Sequence, residues 1–223
     1  MIKALVCDVD GTITDREKRI QTLGIECLRQ VQERGLIVMI ASGNVLPVAY
    51  SLSQFIGLHS PVIAENGGII SFEEKIYELH SHELPEKAFL RVQEEIPGVE
   101  RLFTDNWRRT EVALKRSTDL DKVRTALNGW PVEVEATGFA IHIMEKGHGK
   151  MSGIRKACDL LGISPEEVLA IGDADNDVGM LRGCGQSATV GNASPDAKRA
   201  AKFEARRHHS EGVQEALQHF NLL

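Results

Sequence analysis

No stretch of the 223-residue sequence carries enough lysine and arginine to make a basic stripe, and the formal charge is -6. That excludes nonspecific nucleic-acid binding. The densest cationic stretch, Arg206-Arg207-His208-His209, is too short for that role and reads as a solvated loop. Cys7, Cys27, Cys158 and Cys184 are the only cysteines, and their wide separation gives neither a zinc-ligand spacing nor a disulfide framework. No apolar run approaches the ~20 residues of a membrane span, and no basic-apolar-small export pattern opens the chain. Reduced thiols and a cytoplasmic location, with no membrane partner, are the expectation. Repeats and low-complexity segments are absent as well.

What is present begins at once. Ile2, Leu5, Val6 and Val9 form a short apolar run that predicts a buried parallel strand, ended by Gly11. Asp8 and Asp10 fall at its carboxyl end, the edge where open α/β sheets bind ligands, and their spacing of two predicts one shared face. A helical pattern from Ile20 to Arg34 follows, then a second apolar strand from Leu36 to Ala41 that runs into Ser42-Gly43-Asn44. After a helix over 45–56, a third strand ends in Glu65-Asn66-Gly67-Gly68, whose paired glycines predict a turn with positive φ.

The rhythm changes past a hairpin-like segment at 69–79. A helix from Pro85 to Ile96 leads to strand, helix, strand and strand over residues 100–146, with a turn at Thr137-Gly138. The parallel rhythm returns after Lys150, and the strand Val168–Ile171 runs into Gly172-Asp173-Ala174-Asp175-Asn176-Asp177. The fold class is therefore α/β, a Rossmann-like parallel sheet with an inserted α+β unit. The boundaries are 1–79 and 150–223 for the core and 80–149 for the insert.

Polar sets thus close three strands on one sheet edge: Asp8/Asp10, Ser42-Gly43-Asn44 and Asp173/Asn176/Asp177, with Lys150 nearby. So many carboxylates at one edge need cations, and hard oxygen donors with few histidines favour Mg²⁺ over zinc. The combination resembles the haloacid dehalogenase superfamily of phosphohydrolases. Asp8-Val9-Asp10-Gly11-Thr12 matches its first motif, Ser42 its second, Lys150 its third and Gly172-Asp173-x-x-Asn176-Asp177 its fourth. The insert is similar in placement to the type C2 caps, and Ala41-Ser42-Gly43-Asn44 with a compact cap is most similar to the archaeal phosphoglycolate phosphatase group. The sequence departs from many C2-capped relatives at Asn44, where they carry Arg.

The resemblance implies a Mg²⁺-dependent phosphomonoester hydrolase acting on a small phosphorylated metabolite, with 2-phosphoglycolate first. A sugar phosphatase or a phosphomannomutase-like enzyme is the alternative. It implies Asp8 as nucleophile and Asp10 as acid-base. The metal would be held by Asp8, the main-chain carbonyl of Asp10, Asp173 and Asp177. Ser42, Gly43, Lys150 and Asn176 would bind substrate, with Asn176 orienting Lys150 or a phosphate oxygen. Within the insert, Arg108, Arg109, His142, Lys146 and His148 are cationic or titratable groups with the chemistry to meet an anionic leaving group, and a solvated surface position is the alternative for each. A monomer or homodimer is expected.

Overall fold

The computed structural model describes residues 1–223. The chain opens with β1 (Ala4–Asp8), α1 (Thr22–Glu33), β2 (Ile37–Ala41), α2 (Leu46–Ile56) and β3 (Val62–Ala64), then turns into the hairpin β4 (Ile69–Phe72) and β5 (Lys75–Glu78). The insert holds α3 (Glu83–Glu95), β6 (Val112–Lys115), α4 (Leu120–Ala126), β7 (Val132–Ala136) and β8 (Ala140–Glu145). The chain then completes the large sheet with α5 (Lys150–Leu161), β9 (Val168–Gly172), α6 (Val178–Gly183), β10 (Gln186–Thr189), α7 (Pro195–Ala200), β11 (Phe203–Glu204) and α8 (His209–His219).

The eight-stranded sheet has the order β11-β10-β9-β1-β2-β3-β4-β5, parallel except for the β4 and β5 edge. Strand alternation divides its core in two. Leu5 and Cys7 of β1 pack with Cys27, Leu28 and Val31 of α1 and with Val213, Ala216 and Leu217 of α8. Ala4 and Val6 face the other way, onto Ile154, Ala157 and Cys158 of α5 and Met180 and Leu181 of α6. Asp8 continues the second series, so the strand aims it at the face where α5 begins.

The strand ends one residue earlier than the apolar run predicts. Val9 and Asp10 lie past β1, and the Val9 carbonyl instead accepts from the N–H groups of Thr12, Ile13 and Thr14, coiling the chain into a tight turn. Alternation therefore does not set the relation of Asp8 to Asp10; that turn does. The turn after β3 also differs from expectation. Gly67 has φ +93, but Gly68 is right-handed, and the other left-handed residues are Glu65 (φ 49) and Asn66 (φ 51).

The inserted unit has its own core. α3 and α4 cover one face of the antiparallel sheet β6-β8-β7, joining Phe89 and Val92 to Leu114, Val123, Ile141 and Ile143. Alternation places Glu133, Glu135 and His142 on the opposite face. Glu111, just before β6, reaches Asn66 of the core, so this polar face looks onto the carboxyl edge of the large sheet. At the two crossings between the units, the His80 and His148 rings stack at 4.4 Å.

Candidate active site

Parallel strands put their carboxyl ends together, and β1, β2, β3 and β9 deliver Asp8, Ser42, Glu65 and Asp173 to one edge. Asp8 is buried at the end of β1, and its Oδ1 accepts from the Lys150 ammonium. Lys150 is the first residue of α5, where the helix dipole disfavours a cation. Two carboxylates outweigh that: the same ammonium donates to Asp177 Oδ1 at 2.6 Å. Burial alone would push the Lys150 ammonium down, but Asp177 and Asp8 hold it above its usual value.

The other oxygen of Asp177 accepts from the backbone N–H groups of Asp173 and Ala174, at 2.9 and 3.0 Å. Asp177 therefore shapes the loop after β9 as well as pairing with Lys150. Gly172 permits this, because a Cβ there would lie 2.5 Å from Asp177 Oδ2. Gly11 does the same for Asp173: its φ is +85, and a Cβ would come within 2.3 Å of Asp173 Oδ2.

The cluster's charge is not balanced by the chain alone. Burial pushes the Asp8 carboxyl well above its usual range, opposed by Lys150 and reinforced by Asp177 and Asp173. Asp173 is raised too, by burial and then by Asp177. Oxygens of Asp8, Asp173 and Asp177 lie within 4.8 Å of one another, and Asp8 Oδ2 is buried with no hydrogen-bond partner. An orphaned buried carboxylate oxygen beside two more acids fits a hard divalent cation. Asp8 and Asp173 are the better donors, since both oxygens of Asp177 are engaged at 2.6 to 3.0 Å and those of Asp173 only at 3.4 Å.

Asp10 sits past the strand, and its Oδ2 accepts from Asn44 Nδ2 at 2.8 Å. Burial raises its carboxyl, against the pull of Lys18 and then of Lys150. Asn44 also donates its N–H to Ser42 Oγ at 3.0 Å, so the residue that departs from the expected Arg ties the loop after β2 to Asp10. Ser42 is buried beneath this loop, and Gly43 lines the cavity above it.

Asn176 also lines the cavity, but it does not touch Lys150. Its Nδ2 donates to Asn66 Oδ1 at 3.0 Å, and Asn66 Nδ2 donates to Glu111 Oε2 at 2.9 Å. Glu111 is fully buried, pairs with Arg108 and accepts from His142 Nδ1 at 3.1 Å. The His142 ring is held neutral, its pKa pushed well down by burial and by Arg108 and Lys150, so its Nε2 accepts from the Thr137 hydroxyl at 3.1 Å. Arg108 Nη1 meanwhile donates to the Gly43 carbonyl at 3.0 Å. One buried polar network thus runs from the loops after β2 and β9 into the insert.

The cavity over Asp8 and Asp10 has a volume of about 370 Å³. None of Arg108, Arg109, His142, Lys146 and His148 is in its wall. Arg109 pairs with Glu78 on the surface, and His148 donates from Nε2 to the Glu65 carbonyl at 2.6 Å. The insert contributes Thr137, Gly138 and Phe139 instead, at the β7–β8 turn. Sequence reasoning also missed Arg16, Lys18, Asn192 and His209 in the wall. Asn192 Nδ2 and His209 Nδ1 both donate to the Gly11 carbonyl, at 2.9 and 2.8 Å, which pins the turn after β1. Asn192 lies in no patterned segment, whereas His209 belongs to the cationic stretch expected to be a solvated loop and instead opens α8 and turns its ring to Gly11.

Comparison with known proteins agrees with this geometry. The family of haloacid dehalogenase-like hydrolases matches residues 5–100 and 111–217. The chain is similar to the phosphoglycolate phosphatase of Methanospirillum hungatei, 34% identical over 223 residues, covering 97% of this chain and 96% of that one. It is also similar to that of Methanopyrus kandleri, 36% identical, with 96% and 94% covered. A crystal structure of a Thermoplasma acidophilum protein superposes with a TM-score of 0.92 at 30% identity, covering all of both chains. With Asp8 at the end of β1 and Asp10 in the turn after it, a buried lysine between Asp8 and Asp177, and a match over most of its length, the chain belongs to the haloacid dehalogenase-like hydrolase family.

Proposed function

We propose that this protein is a Mg²⁺-dependent phosphomonoesterase, with 2-phosphoglycolate as its substrate and glycolate and phosphate as its products. The observation that carries the reading is Asp8 itself: a buried carboxylate with Lys150 on one oxygen and no partner on the other, in the floor of a polar cavity. The curated relatives with full-length similarity are phosphoglycolate phosphatases, which supports the choice of ester. Residues 80–149 serve as a cap on a core made of 1–79 and 150–223.

In this reading Asp8 attacks phosphorus, the bond to the leaving oxygen breaks, and an aspartyl-phosphate forms. A carboxylate suits the task because it is ionised at neutral pH once Lys150 and a cation offset its burial. Asp10 gives its proton to the departing alkoxide. It then takes a proton from water, which attacks phosphorus and releases Asp8. Burial favours the protonated carboxyl of Asp10 that the first step needs, and the bond from Asn44 orients it. Asp8 and Asp173, with Asp177 adjacent and the Asp10 carbonyl, would hold Mg²⁺, which when bound supplies positive charge to the phosphoryl oxygens. Lys150, Ser42, Gly43 and Asn176 bind the phosphoryl group.

The test is phosphate release from 2-phosphoglycolate, glucose 6-phosphate and mannose 1-phosphate, with Mg²⁺ and with EDTA. The expected result is metal-dependent release with the highest kcat/KM on phosphoglycolate. A preference for a hexose phosphate, or turnover that needs a hexose bisphosphate, would favour the sugar phosphatase or mutase reading. Undiminished turnover in EDTA would remove the metal from the account.

A further inference from the structure

The position of Asp10 fixes where the leaving group lies. A general acid must be within hydrogen-bond reach of the oxygen it protonates, so the carbon skeleton on that oxygen occupies the cavity next to Asp10. The wall there carries acids, Asp10 and Asp15, and a negatively charged leaving group would be repelled unless a cation faced it. The insert does not supply that cation, since its part of the wall is Thr137, Gly138 and Phe139.

Lys18 does. It lines the same cavity, its ammonium takes part in no ion pair or hydrogen bond within the chain, and it is the foremost of the charges acting on Asp10, ahead of Lys150. Its ammonium lies 4.8 Å from the centroid of the Phe139 ring, so it is held at the mouth between core and insert. The loop that carries it is braced. Asp15 Oδ1 accepts from the backbone of Glu17 and Arg19 at 2.9 and 3.0 Å, Asp15 Oδ2 accepts from Arg19 Nε at 2.8 Å, and Thr14 bridges Ile20. Lys18 itself has φ 62, a left-handed conformation that a lysine adopts at some cost and that presents its side chain from the tip of this turn. The neighbouring Arg19 is bound to Asp15 and Glu17; of the two cations this loop adds to the wall, Arg16 and Lys18, it is Lys18 whose charge acts on Asp10 and whose ammonium lies against Phe139.

We propose that Lys18 is the specificity-determining residue, pairing with a carboxylate carried by the leaving alcohol while the Phe139 ring closes over the short chain between. The substrate class is then the phosphate monoester of a small hydroxy acid, selected over neutral esters by a core residue rather than by a cation of the insert. This rests on the phosphomonoesterase reading above and refines its specificity.

The experiment compares kcat/KM for 2-phosphoglycolate and for its neutral counterpart 2-hydroxyethyl phosphate, in wild type, Lys18→Gln and Lys18→Arg, each with Mg²⁺. Lys18 is exposed, so both variants should melt like wild type, and melting curves check this. Wild type should prefer phosphoglycolate. Lys18→Gln should lower the ratio of the two kcat/KM values by about tenfold or more, as expected for losing a charge-assisted hydrogen bond. The loss should fall chiefly in KM for phosphoglycolate, and Lys18→Arg should keep the ratio within about threefold of wild type. A wild type indifferent to the two esters, or a Gln variant with an unchanged ratio, would overturn the role of Lys18 and leave the phosphomonoesterase reading standing. A wild type that releases phosphate from neither ester would overturn that reading and this one with it.

Discussion

Asn66 donates from Nδ2 to Oε2 of Glu111 at 2.9 Å, a hydrogen bond between two buried side chains that joins the loop after β3 to the inserted unit. Because Asn66 Oδ1 also accepts from Asn176, one residue holds the cavity wall and the insert together. Its φ of 51 is one that asparagine tolerates better than most residues. Asn66→Gly should therefore lose only the side-chain bonds, about 1–3 kcal/mol in urea unfolding. Asn66→Ala should lose about 1 kcal/mol more, because alanine must also hold the left-handed backbone. Equal losses for the two would mean that the backbone at Asn66 is not strained.

Lys150 is enclosed by Asp8 and Asp177, and its removal leaves two buried carboxylates facing each other. Lys150→Met should cost about 3–5 kcal/mol at pH 8, the range for breaking a buried ion pair by removing one partner. The cost should shrink toward pH 5, as the Asp8 carboxyl, already raised by burial, takes up a proton. Thermal melts across that range in EDTA would show it, and a loss that did not vary with pH would contradict the pairing.

Glu135 gives a second pH signature. Burial, and then Glu133 beside it on β7, push its carboxyl from an ordinary 4.5 up to about 7. The folded chain thus binds this proton more tightly than the unfolded chain does. The stability this contributes is full below about pH 4.5 and is lost as pH rises through about 7. Glu135→Gln keeps the neutral shape at every pH. The variant should match wild type near pH 4.5 and exceed it at pH 8, by at most about 3 kcal/mol. Chemical denaturation at the two pH values, in EDTA, makes the comparison.

Asp10→Asn should slow phosphorylation of the enzyme by about 10²–10⁴-fold when the leaving group is an alkoxide. The loss should be smaller for p-nitrophenyl phosphate, whose leaving group departs without a proton. Single-turnover measurements on the two esters give the contrast, and equal losses would remove the acid role from Asp10.

Much of this was legible in the sequence because parallel strands announce their own ends. Short apolar runs stopping in Asp8, Ser42 and Asp173 place those residues on one edge before any coordinates are known, and the resemblance adds Lys150. Three kinds of residue were not legible. Glu111 follows Thr110 at the start of a short strand and looks like an ordinary surface acid, yet tertiary contacts bury it fully against Arg108, His142 and Asn66. Lys18 sits in a polar turn with no periodicity, and only the fold brings Phe139 of the insert to it, across more than half the chain. Paired glycines predict left-handed backbone at Gly67 and Gly68; Gly67 has it and Gly68 does not, and Glu65 and Asn66 share it where hydrogen bonds to the insert hold them.

In the proposed reaction Asp8 carries the phosphoryl group. Acid quench of the enzyme during turnover of ³²P-labelled 2-phosphoglycolate with Mg²⁺, followed by peptide mapping, tests it directly. An acid-stable, hydroxylamine-labile label should appear on the peptide containing Asp8, formed fast enough to precede phosphate release, with no label in Asp8→Asn. Label on another residue, or turnover in Asp8→Asn at a tenth or more of the wild-type rate, would contradict it.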